Sequence, residues 1–184
     1  MQAKMHVNAK QVLADSIIDL AKKRPIDKIT VQNIVDHCHA GRRTFYNHFS
    51  DKYDLVNWIF KTNLDNIVEK YTEIEPLEKV VCRILTFMKE NRGFYSNALS
   101  IEGQNCFLNF FFQSACYFYT NLIEKRFGKE ALTDDVVFII EYNCYGQIHI
   151  ASEWINKKMS DSPEIIARKM VCNISEELKV FFEI

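Results

Sequence analysis

The 184-residue chain has only three prolines and five glycines, and no apolar run of membrane-spanning length. No linker is long or flexible enough to separate two independent domains, and no alternation of polar and apolar residues marks a strand. No basic segment leads into an apolar run at the N-terminus. Neither secretion nor membrane insertion is therefore expected, and the protein reads as cytoplasmic. The cysteines, at 38, 82, 106, 116, 144 and 172, lack the paired short spacing of zinc sites. Their places on apolar helical faces suit reduced thiols in a core, with a redox switch as the alternative. His37-Cys38-His39 is not a metal cluster, since neighbouring residues rarely share one ion and no second ligand group follows at zinc spacing. No nucleophile motif, glycine-rich phosphate loop or His-Glu-x-x-His occurs, which argues against an enzyme and against a cofactor.

What is present is an ordinary globular composition, 48% apolar and 26% charged. The length gives room for one sizeable helical domain and a small one sharing its core. A formal net charge of −1 looks unpromising for a polyanion partner until it is divided. Residues 1–58 carry nine Lys+Arg against six Asp+Glu, net +3, and residues 59–184 carry fourteen against eighteen, net −4. Four of the five histidines also lie in the first part. The basic surface is local, as expected when one small module touches phosphate and the rest must not.

That module is residues 29–53, which read as two short helices joined by a turn and followed by the start of a third. Thr30 is a good N-cap for the first, with Ile29 before it as a hydrophobic staple, and Val31, Ile34 and Val35 share one face. Gly41 opens the second. There Phe45 and Phe49 at i, i+4 bury one stripe and leave Arg42, Arg43, Thr44, Tyr46, Asn47 and His48 on the other faces. Ser50 reads as the next N-cap, with Asp51 in the first turn. A helix-turn-helix sets its second helix in the DNA major groove, N-terminal end foremost, and two adjacent arginines there can grip guanine O6 and N7.

Thr44-Phe45-Tyr46-Asn47-His48-Phe49-Ser50-Asp51-Lys52-Tyr53-Asp54-Leu55 resembles the signature of the TetR/AcrR family of bacterial transcription regulators, and Ile29-Thr30-Val31 resembles that family's entry to its second helix. The resemblance covers about the first third of the chain. It implies an amphipathic helix before the motif and an all-helical, ligand-sensing, dimerising domain after it. It also implies that Thr30, Thr44, Tyr46, His48 and Lys52 hold phosphates, with Gln32, Arg42, Arg43 and Asn47 the candidates for reading bases. Where the family usually has Gly in the turn and Ser or Thr as the cap, this chain has His39 and Gly41. His can occupy a left-handed conformation at some strain cost, and Gly is an adequate cap. Tyr145 through Trp154 to Ser162-Pro163-Glu164 resembles the C-terminal domain common in Gram-positive members.

The expected fold is all-α, with a helix-turn-helix domain over residues 1–53 and a ligand-binding and dimerisation domain over 54–184, connected by a fourth helix from Asp51 to about Tyr71. A first helix from about Asn8 to Arg24, stopped by Pro25, would place Lys4 and Lys10 near phosphate. Later helices are expected at 76–91, 94–100, 104–127, 134–158 and 163–182, with Pro76 and Pro163 at helix starts. The long fourth helix would act as a rod that turns a shift in the second domain into a displacement of the recognition helix.

The seventh helix carries aromatics nearly all round. These rings either fill the core or wall a small-molecule pocket, with Phe87, Tyr95, Phe107, Phe110, Phe111, Gln113, Tyr117, Tyr142 and Asn143 as the candidate ligand contacts. The last two helices read as a homodimer seam of Tyr145, Ile148, His149, Ser152 and Ile155 with Val171, Ile174, Leu178 and Phe182. Together these features imply a DNA-binding transcriptional regulator, a repressor released from a near-palindromic operator by a small-molecule effector. The alternative is a regulator or activator whose C-terminal domain binds a partner protein. Its partners would be double-stranded DNA, a second copy, and that effector or protein, with no membrane.

Arg42→Ala and Arg43→Ala should each weaken specific DNA binding by about 1–3 kcal/mol and relax base preference. Titration of operator and random duplex in parallel checks this: equal losses on both would mean that neither arginine reads bases.

Overall fold

The computed structural model describes residues 8–69, 75–101, 103, 106–157 and 160–182. Lys4, Tyr71 and the extreme ends placed at residues 104 and 158 fall outside them. The described residues form ten α-helices and no strand. In chain order these are α1 (Ala9–Ala21), α2 (Val31–His37), α3 (Arg42–Tyr46), α4 (Lys52–Val68), α5 (Leu77–Glu90), α6 (Arg92–Leu99), α7 (Phe107–Phe127), α8 (Asp134–Asn156), α9 (Pro163–Cys172) and α10 (Glu176–Phe182). They fall into two compact units, one taking residues up to Thr62 with Gly93–Phe107, the other Asn63–Arg92 with the residues from Leu108 onward.

The first unit is built around Leu13, Ile17, Ile26, Ile29, Ile34, Phe45 and Leu55, all without solvent exposure. Three helix starts there have a local cause. Asn8 Oδ1 accepts from Lys10 N at 3.1 Å. Thr30 Oγ1 accepts from Asn33 N while Asn33 Oδ1 accepts from Thr30 N, both at 3.1 Å, a capping box with Asn in the third position. At α4 the cap is Asp51 and not Ser50. One Asp51 carboxylate oxygen takes the amides of Tyr53 and Asp54, each at 2.8 Å, and Ser50 instead donates its own N–H to Asp54 Oδ2 at 2.9 Å. A carboxylate is the stronger acceptor for orphan amides, so the helix starts one residue later than a serine cap would set. A second cluster, Phe60, Phe94, Tyr95 and Phe107, packs with centroids 5.2 to 6.1 Å apart, edge to face except for the tilted Tyr95–Phe107 pair.

In the second unit α5 lies along α9, and α8 contacts α5 and α10. Leu77, Val80, Val81, Leu85 and Met88 recur on one face of α5 and are buried. Thr133 and Ser162 cap α8 and α9, with Pro163 in the first turn of α9. The single helix expected over 163–182 is two. Asn173 turns its side chain back onto Lys169 O, and the Ser175 amide is taken by Asn143 Oδ1 at 3.2 Å. Ser175 O then accepts from Leu178 and Lys179 and starts α10. Asn and Ser compete with a helix for its own hydrogen bonds, and here they win.

One buried polar link ties α1 to α2: Ser16 Oγ donates to Ile34 O at 2.8 Å and lies 3.2 Å from His37 Nδ1. Ser16→Ala should lower the unfolding free energy by about 1 kcal/mol, measurable as a lower urea midpoint at unchanged slope.

Candidate nucleic-acid interface

The surface that could meet DNA is set by α2, the turn after it, and α3. Phe45 is 0% and Phe49 3% exposed. Their rings lie 5.8 Å apart, and Phe49 meets Trp58 of α4 edge-on at 5.7 Å. With that stripe fixed inward, Arg42, Arg43, Tyr46, Asn47 and His48 are exposed and Thr44 is half-buried. Thr30 and Gln32, at the start of α2, are exposed as well.

The turn adopts the conformations expected of its unusual residues. His39 has φ 54°, in the left-handed region, and Gly41 caps α3 with φ −91° and ψ 149°. Gly41 supplies no side-chain acceptor, and a Cβ there would meet only Thr44 Oγ1 at 3.9 Å. The cap position therefore has room for a larger residue.

Four of the candidate side chains are already oriented. The Arg42 guanidinium sits over the Tyr46 ring, 5.9 Å from its centroid, which holds both on one exposed strip. Gln32 Nε2 donates to Asp36 Oδ1 at 2.6 Å, so reading a base would require exchanging that bond. Lys10 lies over the Phe49 and Trp58 rings at 5.8 and 5.7 Å.

Lys52 has a different task from the phosphate contact the resemblance implies. Its ammonium donates to the carbonyl oxygens of Ile26, Asp27 and Ile29 at 2.9, 2.7 and 2.8 Å. Three donors meet three acceptors, so the group is filled. It ties the start of α4 to the 3-10 turn Ile26–Lys28 and so to the approach to α2. Burial pulls this ammonium below the ordinary lysine value, opposed by the charges of Asp27 and Asp51. Nothing in the sequence signals the clamp, because its acceptors are backbone atoms more than twenty residues away.

The nine candidate ligand contacts fall in both units. Tyr95 and Phe107 are packed on each other inside the first unit. In the second unit Phe87 and Phe110 are half-buried, Phe111 is buried, and Gln113, Tyr117 and Tyr142 are exposed. Asn143 is engaged at both ends: its Oδ1 holds the Ser175 amide and its Nδ2 donates to Ile139 O at 2.9 Å. A groove of about 450 Å³ between α8 and α9 is lined by Tyr142, Tyr145, Gln147, Ile150, Ile166 and Met170 among others. A smaller one of about 230 Å³ lies by Phe118, Leu122, Lys125 and Phe182. Of the nine, only Tyr142 and Asn143 line either.

The seam residues divide in the same way. Tyr145 and His149 are exposed and Ser152 is half-buried, whereas Ile148, Ile155, Val171, Ile174 and Leu178 are buried within the protomer. Phe182 is half-buried and packs on Tyr119 at 5.5 Å. The exposed apolar stripe of α8 is instead Phe138, Tyr142 and Tyr145, at 68%, 72% and 66% exposure, continued by His149. Spacing of four, three and four was the available signal, and Phe138 is the residue it would have added. Among the described residues no cluster of three His, Cys, Asp or Glu could hold a metal ion, and no helix is long and apolar enough to cross a membrane.

Lys52→Ala should cost about 2 kcal/mol of folding stability, yet leave the slope of log affinity against log salt unchanged for the folded variant. A slope lower by about one would assign the lysine to a phosphate.

Residues 13–59 match the family model described as bacterial regulatory proteins, tetR family, and residues 75–175 match that of a TetR-type transcriptional regulator C-terminal region. The HTH-type dhaKLM operon transcriptional activator DhaS of Lactococcus lactis subsp. lactis (strain IL1403) is 23% identical over 98% of this chain and 96% of its own. The uncharacterized HTH-type regulator YxbF of Bacillus subtilis (strain 168) is 21% identical over 90% of this chain and 44% of its own. Among solved structures, a dihydroxyacetone kinase operon activator DhaS superposes with a TM-score of 0.68 at 23% identity, over 95% of this chain and 98% of that one. A TetR regulator from Streptococcus agalactiae 2603V gives 0.65 at 20% identity, over 91% and 94%. These likenesses speak for the fold, and the two matched regions together decide the family: the chain belongs to the TetR family of bacterial transcription regulators.

Proposed function

We propose that this transcriptional regulator works in the cytoplasm as a homodimer, with residues 1–53 binding DNA and residues 54–184 carrying dimerisation and control. The observation that carries the DNA-binding part is the exposed cationic strip of α3, held outward by two buried phenylalanines in a chain of this family. Arg42, Arg43, Gln32 and Asn47 read base edges, and Thr30, Thr44, Tyr46 and His48 hold phosphate oxygens. Two copies related by a two-fold axis match a near-palindromic operator.

The proposed seam is the outer face of α8, supported by Phe138, Tyr142 and Tyr145 standing in solvent on one stripe. Exposed rings in a row are what a symmetric interface buries. For control, the family's general mode suggests a repressor released by a small molecule. Two observations favour the second reading, an activator whose C-terminal part receives a partner protein. DhaS, alike over nearly its full length, is an operon activator. Of the residues expected to line an effector cavity, Gln113, Tyr117 and Tyr142 are moreover exposed, and Asn143 is engaged at both ends. Deleting the chain's gene and assaying transcription from its own operator separates the two: output rises for a repressor and falls for an activator.

Phe138→Arg and Tyr142→Arg should each give monomers with native helix content and a loss of operator affinity of at least about tenfold, since a charge buried unpaired across the axis meets its own copy. Sedimentation velocity decides; variants that stay dimeric would move the seam off this face.

A further inference from the structure

Two cysteines that DNA binding does not use lie against each other where α7 crosses α8. Contacts between the same two helices bracket Cys116 on α7 and fall one and three residues after Cys144 on α8. Phe112, one turn before Cys116, stacks on Tyr145 with ring centroids 4.2 Å apart. Tyr119, nearly one turn after it, donates its hydroxyl to Gln147 Oε1 at 2.9 Å. Residues three and four apart share a helix face, so Cys116 is held on the strip of α7 that meets α8. Cys144 sits beside Tyr145 and three residues before Gln147 on the other side of that crossing. The two thiols are free and neighbour each other, Cys144 buried and Cys116 half-buried. The other four are at 38, 82, 106 and 172. Of these, Cys38 donates weakly to Val35 O within its own turn.

We propose that Cys116 and Cys144 form a redox-active dithiol, a modification site at which a hydroperoxide converts the pair to an intramolecular disulfide joining α7 to α8. The asymmetry of their surroundings assigns the roles. Cys116 is the partner with solvent access, and the hydrogen bond from Cys144 holds its thiol below the ordinary cysteine value. The same bond, burial and the nearby Glu141 push Cys144 up, so it keeps its proton. The Cys116 thiolate attacks one peroxide oxygen, the O–O bond breaks, and hydroxide leaves to become water on taking up the Cys116 proton from solvent. Cys116 is then a sulfenic acid. Cys144 sulfur attacks the Cys116 sulfur, the S–S bond forms, the S–O bond breaks, and the hydroxyl departs as a second water with the Cys144 proton. Two thiols have lost two hydrogens, and one hydroperoxide (here hydrogen peroxide) has become two waters.

The test treats the purified full chain with equimolar hydrogen peroxide, alkylates the remaining thiols and maps the digest by mass spectrometry. The chain should lose two of its six free thiols. A peptide pair joining Cys116 to Cys144 should appear and separate on reduction. Cys144→Ala should leave Cys116 as a sulfenic acid that dimedone traps, and Cys116→Ser should leave Cys144 reduced. Six thiols surviving, a disulfide through any of the other four, or Cys116 advancing to sulfinic acid in the wild type would each overturn the proposal. The wild-type map decides alone if a variant fails to fold.

Discussion

The recognition surface depends on two phenylalanine side chains under a helix of five residues. A helix as short as α3 has no stability of its own, because nucleation costs more than one turn of hydrogen bonds returns. Burial of Phe45 and Phe49 supplies about 1.5–3 kcal/mol each and fixes the helix against Trp58 and the core behind it. Because both anchors lie on one side, positions 42, 43, 46, 47 and 48 have nowhere to go but outward. Lys10 over the Phe49 and Trp58 rings extends the cationic rim to the start of α1. Arg42 over Tyr46 removes part of the freedom that an arginine would otherwise lose on binding.

A second constraint, that buried polar atoms need partners, decides which conspicuous residues are left for binding. Lys52 has the chemistry of a phosphate contact and is filled by three carbonyls. Asn143 has the chemistry of a ligand contact and is occupied by Ser175 and Ile139. Tyr119 is tied to Gln147 inside the second unit, where burial raises its hydroxyl well above the ordinary tyrosine value. In each case the side chain serves backbone or a neighbouring helix, and for Lys52 and Asn143 the residue type alone suggested something else.

Local signals were legible in the sequence and distant ones were not. The Thr30 cap, the Phe45–Phe49 stripe, the left-handed His39 and the proline at the start of α9 follow from residues within one turn of each other. The break at Asn173–Ser175 required knowing that Asn143, on another helix, would take the Ser175 amide. The outward face of α8 was misread because Ile148 and Ile155 are as apolar as Phe138 and Tyr142. Periodicity locates two apolar stripes on such a helix without saying which is covered by its own chain. The outward-facing residues of α3 were legible because their setting is local, and the packing of the second unit was not because its setting is distant.

The outward stripe of α8 carries a cost that the protomer does not explain. Three aromatic rings in water oppose solubility, and Gly146 in the middle of the same helix lowers its stability by about 1 kcal/mol relative to alanine. No atom within 4 Å would obstruct a Cβ at Gly146, so nothing inside the protomer requires glycine there. Gly146 lines the groove beside Tyr142 and Tyr145, and open space over a glycine lets another helix approach its backbone closely. Exposed rings and an unneeded glycine are separate penalties in an isolated chain. A surface arriving from outside offsets both at once, by burying the rings and filling the space above the glycine. That shared remedy, more than hydrophobicity alone, supports the proposed second copy on the α8 face.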